Sequence, residues 1–195
     1  GVTSRVAGTL SQASLDMLPT STTTFSGVLG SATAAGTWIL IGGNRYEVTA
    51  GGMDAASAVP LPQALLDSYP LTGTIGPGSF FKTPSDATVY IVMPNDIRPI
   101  SSWAALLALT TDGNPVIYTI ADSIEIHMKK GPVALIAGTL VRSPQNATVY
   151  FIDGVTGRIA LSNFIYPGEA GFATLIFTNE YNINGYPETA REMTF

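Results

Sequence analysis

The sequence predicts an all-β fold with short helices, built as about three propeller-blade-like repeats of 50–60 residues. A β-solenoid or an irregular β-barrel is the alternative. Two observations carry this. An eleven-residue segment starts at Gly27, Gly78 and Gly138, at offsets of 51 and 60 residues. Each copy is followed by short apolar runs broken by turn residues, the signature of stacked supersecondary units.

The second and third copies match best: Gly78 to Thr88 continues as Val89-Tyr-Ile-Val92, and Gly138 to Thr148 as Val149-Tyr-Phe-Ile152. The first has Trp38 in place of the Val and lacks the Pro. In it, Trp38 to Ile41, Gly42-Gly43-Asn44 and Arg45 to Thr49 read as a hairpin. The second turns at Pro94 to Asp96 and returns through Ile97 to Ile100; the third turns at Asp153 to Gly157 and returns through Arg158 to Leu161. Ser102 to Leu109 predicts a short helix with a serine cap. Gly52 to Ala58 and Asn163 to Gly168 occupy the matching places. Val116 to Ile120 and Thr174 to Thr178 read as fourth strands.

A closing segment follows. Leu10 to Pro19 matches Leu61 to Pro70; Ala121 to Lys130 is a weaker partner, and a last relative ends at Tyr186-Pro187. The expected organisation is an N-terminal segment 1–26 holding the closing part of a preceding repeat, then repeats at 27–77, 78–137 and 138–195. Either the chain is cut from a longer array, or its first segment completes the last unit in a ring. The third unit has its own closing segment, which favours the cut array.

Charged residues make up 12% of the chain against 46% hydrophobic, so Ser, Thr, Asn, Gly and Ala must cover the surface. Such surfaces suit an extracellular, cell-surface or virion location. Net charge is −5 with no basic cluster, which argues against nucleic acid as a partner. With no cysteine, disulfides, thiolate metal sites and cysteine nucleophiles are excluded. No apolar run is long enough to predict membrane insertion.

The pattern Gly138 to Val141, Val149 to Ile152, Arg158, Ile159 and Ser162 is similar to tandem repeats of bacterial secreted and surface proteins. It also resembles repeats of bacteriophage tail and structural proteins. The second unit carries it on Val89 to Val92, Arg98, Ile100, Ser101 and Trp103. The resemblance implies a non-catalytic envelope or virion module and names no ligand.

Five residues are candidates for ligand binding: Arg45, Arg98, Arg158, Trp38 and Trp103. The arginines all follow a hairpin turn, and Arg98 and Arg158 each lie ten residues after the repeated Thr. A periodic residue first suggests a shared structural task, here tying down the turn through carbonyls or a carboxylate. The functional reading is one polar site per unit for sugar hydroxyls or anions. Either Trp can stack on a sugar ring, but core packing is the first expectation for both, as it is for Tyr90 and Tyr150. The lone His127 defines neither a triad nor a metal site. Asp16 and Asp67 fit helix-end or turn capping. Asp86, Asp96, Asp112, Asp122 and Asp153 lie near turns without calcium-loop spacing. Asn146-Ala-Thr148 is a glycosylation sequon by pattern and reads as coincidence.

No metal or cofactor is expected. The leading expectation is a non-enzymatic module binding a surface glycan or a protein partner. Second is an assembly protein contacting copies of itself, a homo-oligomer held by Phe164, Ile165, Tyr166 and Phe172. A hydrolase is third, because nothing in the spacing favours a paired-carboxylate site.

Overall fold

The computed structural model describes residues 27–31, 35–110, 112–154, 157–161 and 175–189. The first closing segment, including Asp16, the matching place at 163–168 and the apolar residues Phe164, Ile165, Tyr166 and Phe172 lie outside the described residues.

The fold is mostly β, with three separate sheets and no closed barrel among the described residues. The first sheet contains β1 (Leu29–Ser31), β2 (Thr37–Ile41), β3 (Asn44–Val48), β4 (Val59–Leu61) and β5 (Leu71–Ile75) in the order β4-β1-β2-β3-β5. The second contains β6 (Phe80–Lys82), β7 (Tyr90–Val92), β8 (Ile97–Pro99) and β9 (Ile117–Thr119) in the order β8-β7-β6-β9. The third contains β10 (Leu140–Arg142), β11 (Val149–Asp153), β12 (Gly157–Ala160) and β13 (Leu175–Phe177) in the order β12-β11-β10-β13.

The expected fourth strand is present, but a meander does not reach it. It crosses over and pairs parallel with the first strand, as in Leu29↔Val59, Phe81↔Tyr118 and Val141↔Ile176. A parallel pair needs such a crossover, whereas antiparallel neighbours need only a turn. The closing segments are helical, a feature the sequence reading missed: α1 (Gln63–Asp67), α3 (Asp122–Glu125) and α4 (Glu180–Asn184). After each helix the chain runs parallel beside the third strand, as all of β5 or as the single bridges Ile97↔Lys130 and Arg158↔Glu188.

Local sequence explains the turns. Gly42 and Gly43, at φ 57° and 80°, supply the two left-handed positions of the two-residue β2–β3 hairpin. The repeated turn is an Asx-turn: Asp86 Oδ1 accepts from the Thr88 N–H at 2.8 Å, and Asn146 Oδ1 from Thr148 at 3.0 Å. Asx-Ala-Thr therefore recurs for a backbone reason. Ser102 caps the predicted helix, α2 (Trp103–Ala108), by accepting from the Ala105 N–H at 3.1 Å.

The β3–β4 crossover is ten residues (49–58) with one 3-10 turn at Ala55–Ser57, whereas the β8–β9 crossover is seventeen (100–116) and contains α2. The consequence is a different core. In the second unit Leu106 of α2 covers Phe80, Ile91 and Met93. In the first unit Val28, Ile39, Val48 and Ile75 pack instead on Phe81, Tyr90, Val92, Ile97, Ile120 and Ile124 of the second. These two units therefore share one core. The third has a separate core, of Val141, Ile152, Ile183 and Tyr186 together with Leu135 from the end of the second unit.

Candidate functional site

Strand register fixes which residues are equivalent. Leu40 pairs with Arg45, Val92 with Ile97, and Ile152 with Arg158. The same three residues donate their backbone N–H to the chain leaving the closing helix: Arg45 to Pro70, Ile97 to Lys129 and Arg158 to Pro187. Arg45, Ile97 and Arg158 thus hold one position. Arg98 sits one residue further on, so it faces the opposite side of its sheet. The count of ten residues after Thr is misleading because the Val92-to-Ile97 turn is one residue shorter than the Ile152-to-Arg158 turn. By the same register Trp38, two residues before Leu40, stands where Tyr90 and Tyr150 stand.

A three-part constellation recurs at that position. Arg45 lies 5.9 Å from the Trp38 ring and donates to Asp67 at 3.0 Å. Arg158 lies 4.6 Å from the Tyr150 ring and donates to Asn184 at 2.7 Å, with Glu188 at 3.9 Å. In the second unit Ile97 carries no charge, and Lys130 replaces it, 5.6 Å from the Tyr90 ring and 2.6 Å from Glu125. Asp67, Glu125 and Asn184 each end their closing helix. Cation, ring and acceptor therefore pin each closing helix to the hairpin of its own sheet. The bond to Glu125 holds the Lys130 ammonium pKa above its ordinary value; burial raises that of the Tyr90 hydroxyl.

Arg98 has another task. It is 5% exposed, pairs with Asp96 at 2.9 Å, donates to the Gly185 carbonyl at 2.8 Å and lies 4.4 Å from the Tyr186 ring. It thus clamps the second unit to the third. The Tyr186 hydroxyl accepts from Leu135 N–H at 2.7 Å and Asn182 accepts from Val133 N–H at 3.1 Å, which completes the junction. A Cβ at Gly185 would collide with Pro132, so that position requires glycine.

The expectation that Trp103 packs in the core does not hold: the residue is 62% exposed. Helix α2 turns Ala105 and Leu106 inward, which leaves Trp103, Ala104, Leu107 and Ala108 on the solvent side. Trp38 is half-buried against Arg45, Tyr90 is buried, and Tyr150 and His127 are half-buried. Beside α2, an open groove of about 440 Å³ runs along the start of β6, lined in part by Ser79, Phe80, Thr110, Asp112, Val116 and Tyr118. No sequence signal marks this groove, because its walls come from the crossover and from two strands of ordinary composition.

Among the described residues no group of three or more His, Cys, Asp or Glu could hold a metal ion. No described helix is long and apolar enough to cross a membrane. No protein-family model matches the chain, and no curated protein matches it in sequence.

Proposed function

We propose that this protein is a non-enzymatic repeat module of a cell surface or virion that binds a surface glycan, with a protein partner as the alternative ligand. The observation that carries this reading is the division of labour among the five candidate residues. Arg45, Arg98, Arg158 and Trp38 are engaged in internal contacts, and of these five only Trp103 presents an uncovered aromatic ring. An exposed indole offers a flat apolar platform for a sugar ring, and the groove past the C-terminal end of α2 offers the hydroxyl and carboxylate groups of Ser79, Thr110 and Asp112. The low charge of the chain suits neutral ligands.

The test is binding of cell-wall polysaccharide to wild type and Trp103→Ala by calorimetry. Loss of one stacking platform weakens binding about tenfold, or ~1.4 kcal/mol. Unchanged affinity in Trp103→Ala contradicts this site. Self-assembly is the second reading, favoured by the apolar outer face of α2, where Trp103 and Leu107 are both exposed. It predicts oligomers by light scattering without polysaccharide, dissociated by Trp103→Ser with Leu107→Ser.

A further inference from the structure

We propose that a small polar cavity in the third unit binds the hydroxylated edge of a sugar or another neutral polyol. This deepens the glycan reading above and rests on it. The cavity is about 80 Å³ and lies between the repeated turn and α4, lined by Ser143, Asn146, Tyr150, Glu180, Ile183 and Asn184.

The second unit closes the corresponding place with its own side chains. There the Asp122 carboxylate accepts from the Ser85 hydroxyl and, at 3.4 Å, from the Ser85 N–H, bridging α3 to the turn. The Tyr90 hydroxyl donates to Asp86 at 3.3 Å. In the third unit neither link forms. Gln145 stands where Ser85 stands, and its side chain accepts instead from the Ser143 hydroxyl at 2.6 Å. The Tyr150 hydroxyl, the Glu180 carboxylate and the amide nitrogens of Asn146 and Asn184 have no hydrogen-bond partner among the described residues.

The chemistry of these groups selects the ligand. Each amide oxygen already accepts one bond, that of Asn146 from the Thr148 N–H and that of Asn184 from Arg158, which leaves the two NH2 groups to present donors. Glu180 presents acceptors, and Tyr150 presents one of each. A metal ion would find Glu180 as the only anionic oxygen and Arg158 as a nearby positive charge. Glu180 repels an anion. A vicinal diol, whose hydroxyls both donate and accept, fits this set. The space of a few water molecules admits a hydroxymethyl group and its neighbour and leaves the sugar ring outside.

The test is a ¹H–¹⁵N titration of the full chain with glycerol and with a panel of methyl glycosides, repeated on Tyr150→Phe and Glu180→Gln. Both variants keep side-chain shape, and Tyr150→Phe keeps the ring beside Arg158. The expected result is shifts confined to residues 143–150 and 180–184, with affinity weakened at least tenfold in each variant and thermal midpoints unchanged. Shifts that persist undiminished in both variants, or no shifts at these residues, overturn the proposal. Shifts confined to Trp103 and the β6 groove overturn this site while leaving the glycan reading intact. Cavity shifts without any polysaccharide binding support the site and count against the wider reading.

Discussion

At position 97 the second unit carries isoleucine where its neighbours carry arginine, and the lost charge returns on Lys130 from the segment after the closing helix. The task is conserved while the residue that performs it moves, so no count along the chain can find it. Arg98 was legible as a recurring arginine, but its face depends on a turn one residue shorter than that of the third unit. Truncating Arg98 leaves Asp96 and the Gly185 carbonyl without their partner in a buried junction. Arg98→Ala is therefore expected to cost about 3–5 kcal/mol in urea unfolding. Arg45→Ala breaks a pair whose carboxylate is 53% exposed, and about 1 kcal/mol is expected. Acid sensitivity also belongs to this scale. Bonds from the Ser85 hydroxyl and from the Thr88 N–H hold the carboxyls of Asp122 and Asp86, respectively, below their ordinary value of 3.8. A depressed carboxylate stabilises the fold fully above 3.8, and that contribution is lost as pH falls through the lower folded value. Asp122→Asn should flatten the fall in urea midpoint below pH ~4; an unchanged acid limb would contradict this role.

Among the elements, α2 was readable because its cap and its apolar residues are local signals. Ser102→Ala removes the side-chain cap of α2 and should cost ~1 kcal/mol, read as a lower thermal midpoint. The closing helices were not readable. Their four or five residues give barely one turn; Pro62 and Ala121 make no side-chain cap on α1 and α3, and only α4 has one, from Asn179. Their stability comes from tertiary contacts: Leu66, Ile124 and Ile183 are each buried, and the cation–ring–acceptor contacts hold their last residues. Parallel pairing of the fourth strand was equally hidden. Three apolar residues look alike whether the strand closes a meander or crosses over to pair with the first strand.

For the molecule as a whole, the repeat and its β character were visible in the sequence, while the sharing of cores was not. It follows from a crossover seven residues shorter in the first unit, which leaves Ile39 and Ile75 to be covered by the second unit. Ile97→Ala should then cost about 2–5 kcal/mol and raise amide exchange in β2 and β3 as well as in β7 and β8. Exchange confined to the second unit would contradict a shared core. The most direct measurement is residue-resolved hydrogen exchange on Arg98→Ala and Arg158→Ala, alongside polysaccharide binding. Structural arginines predict faster exchange at 133–135 and 182–186 in the first variant. In the second they predict faster exchange across β11, β12 and 180–188, with binding retained in both once folded. Exchange unchanged in both variants, together with lost binding, would show that the arginines serve a ligand and not the fold.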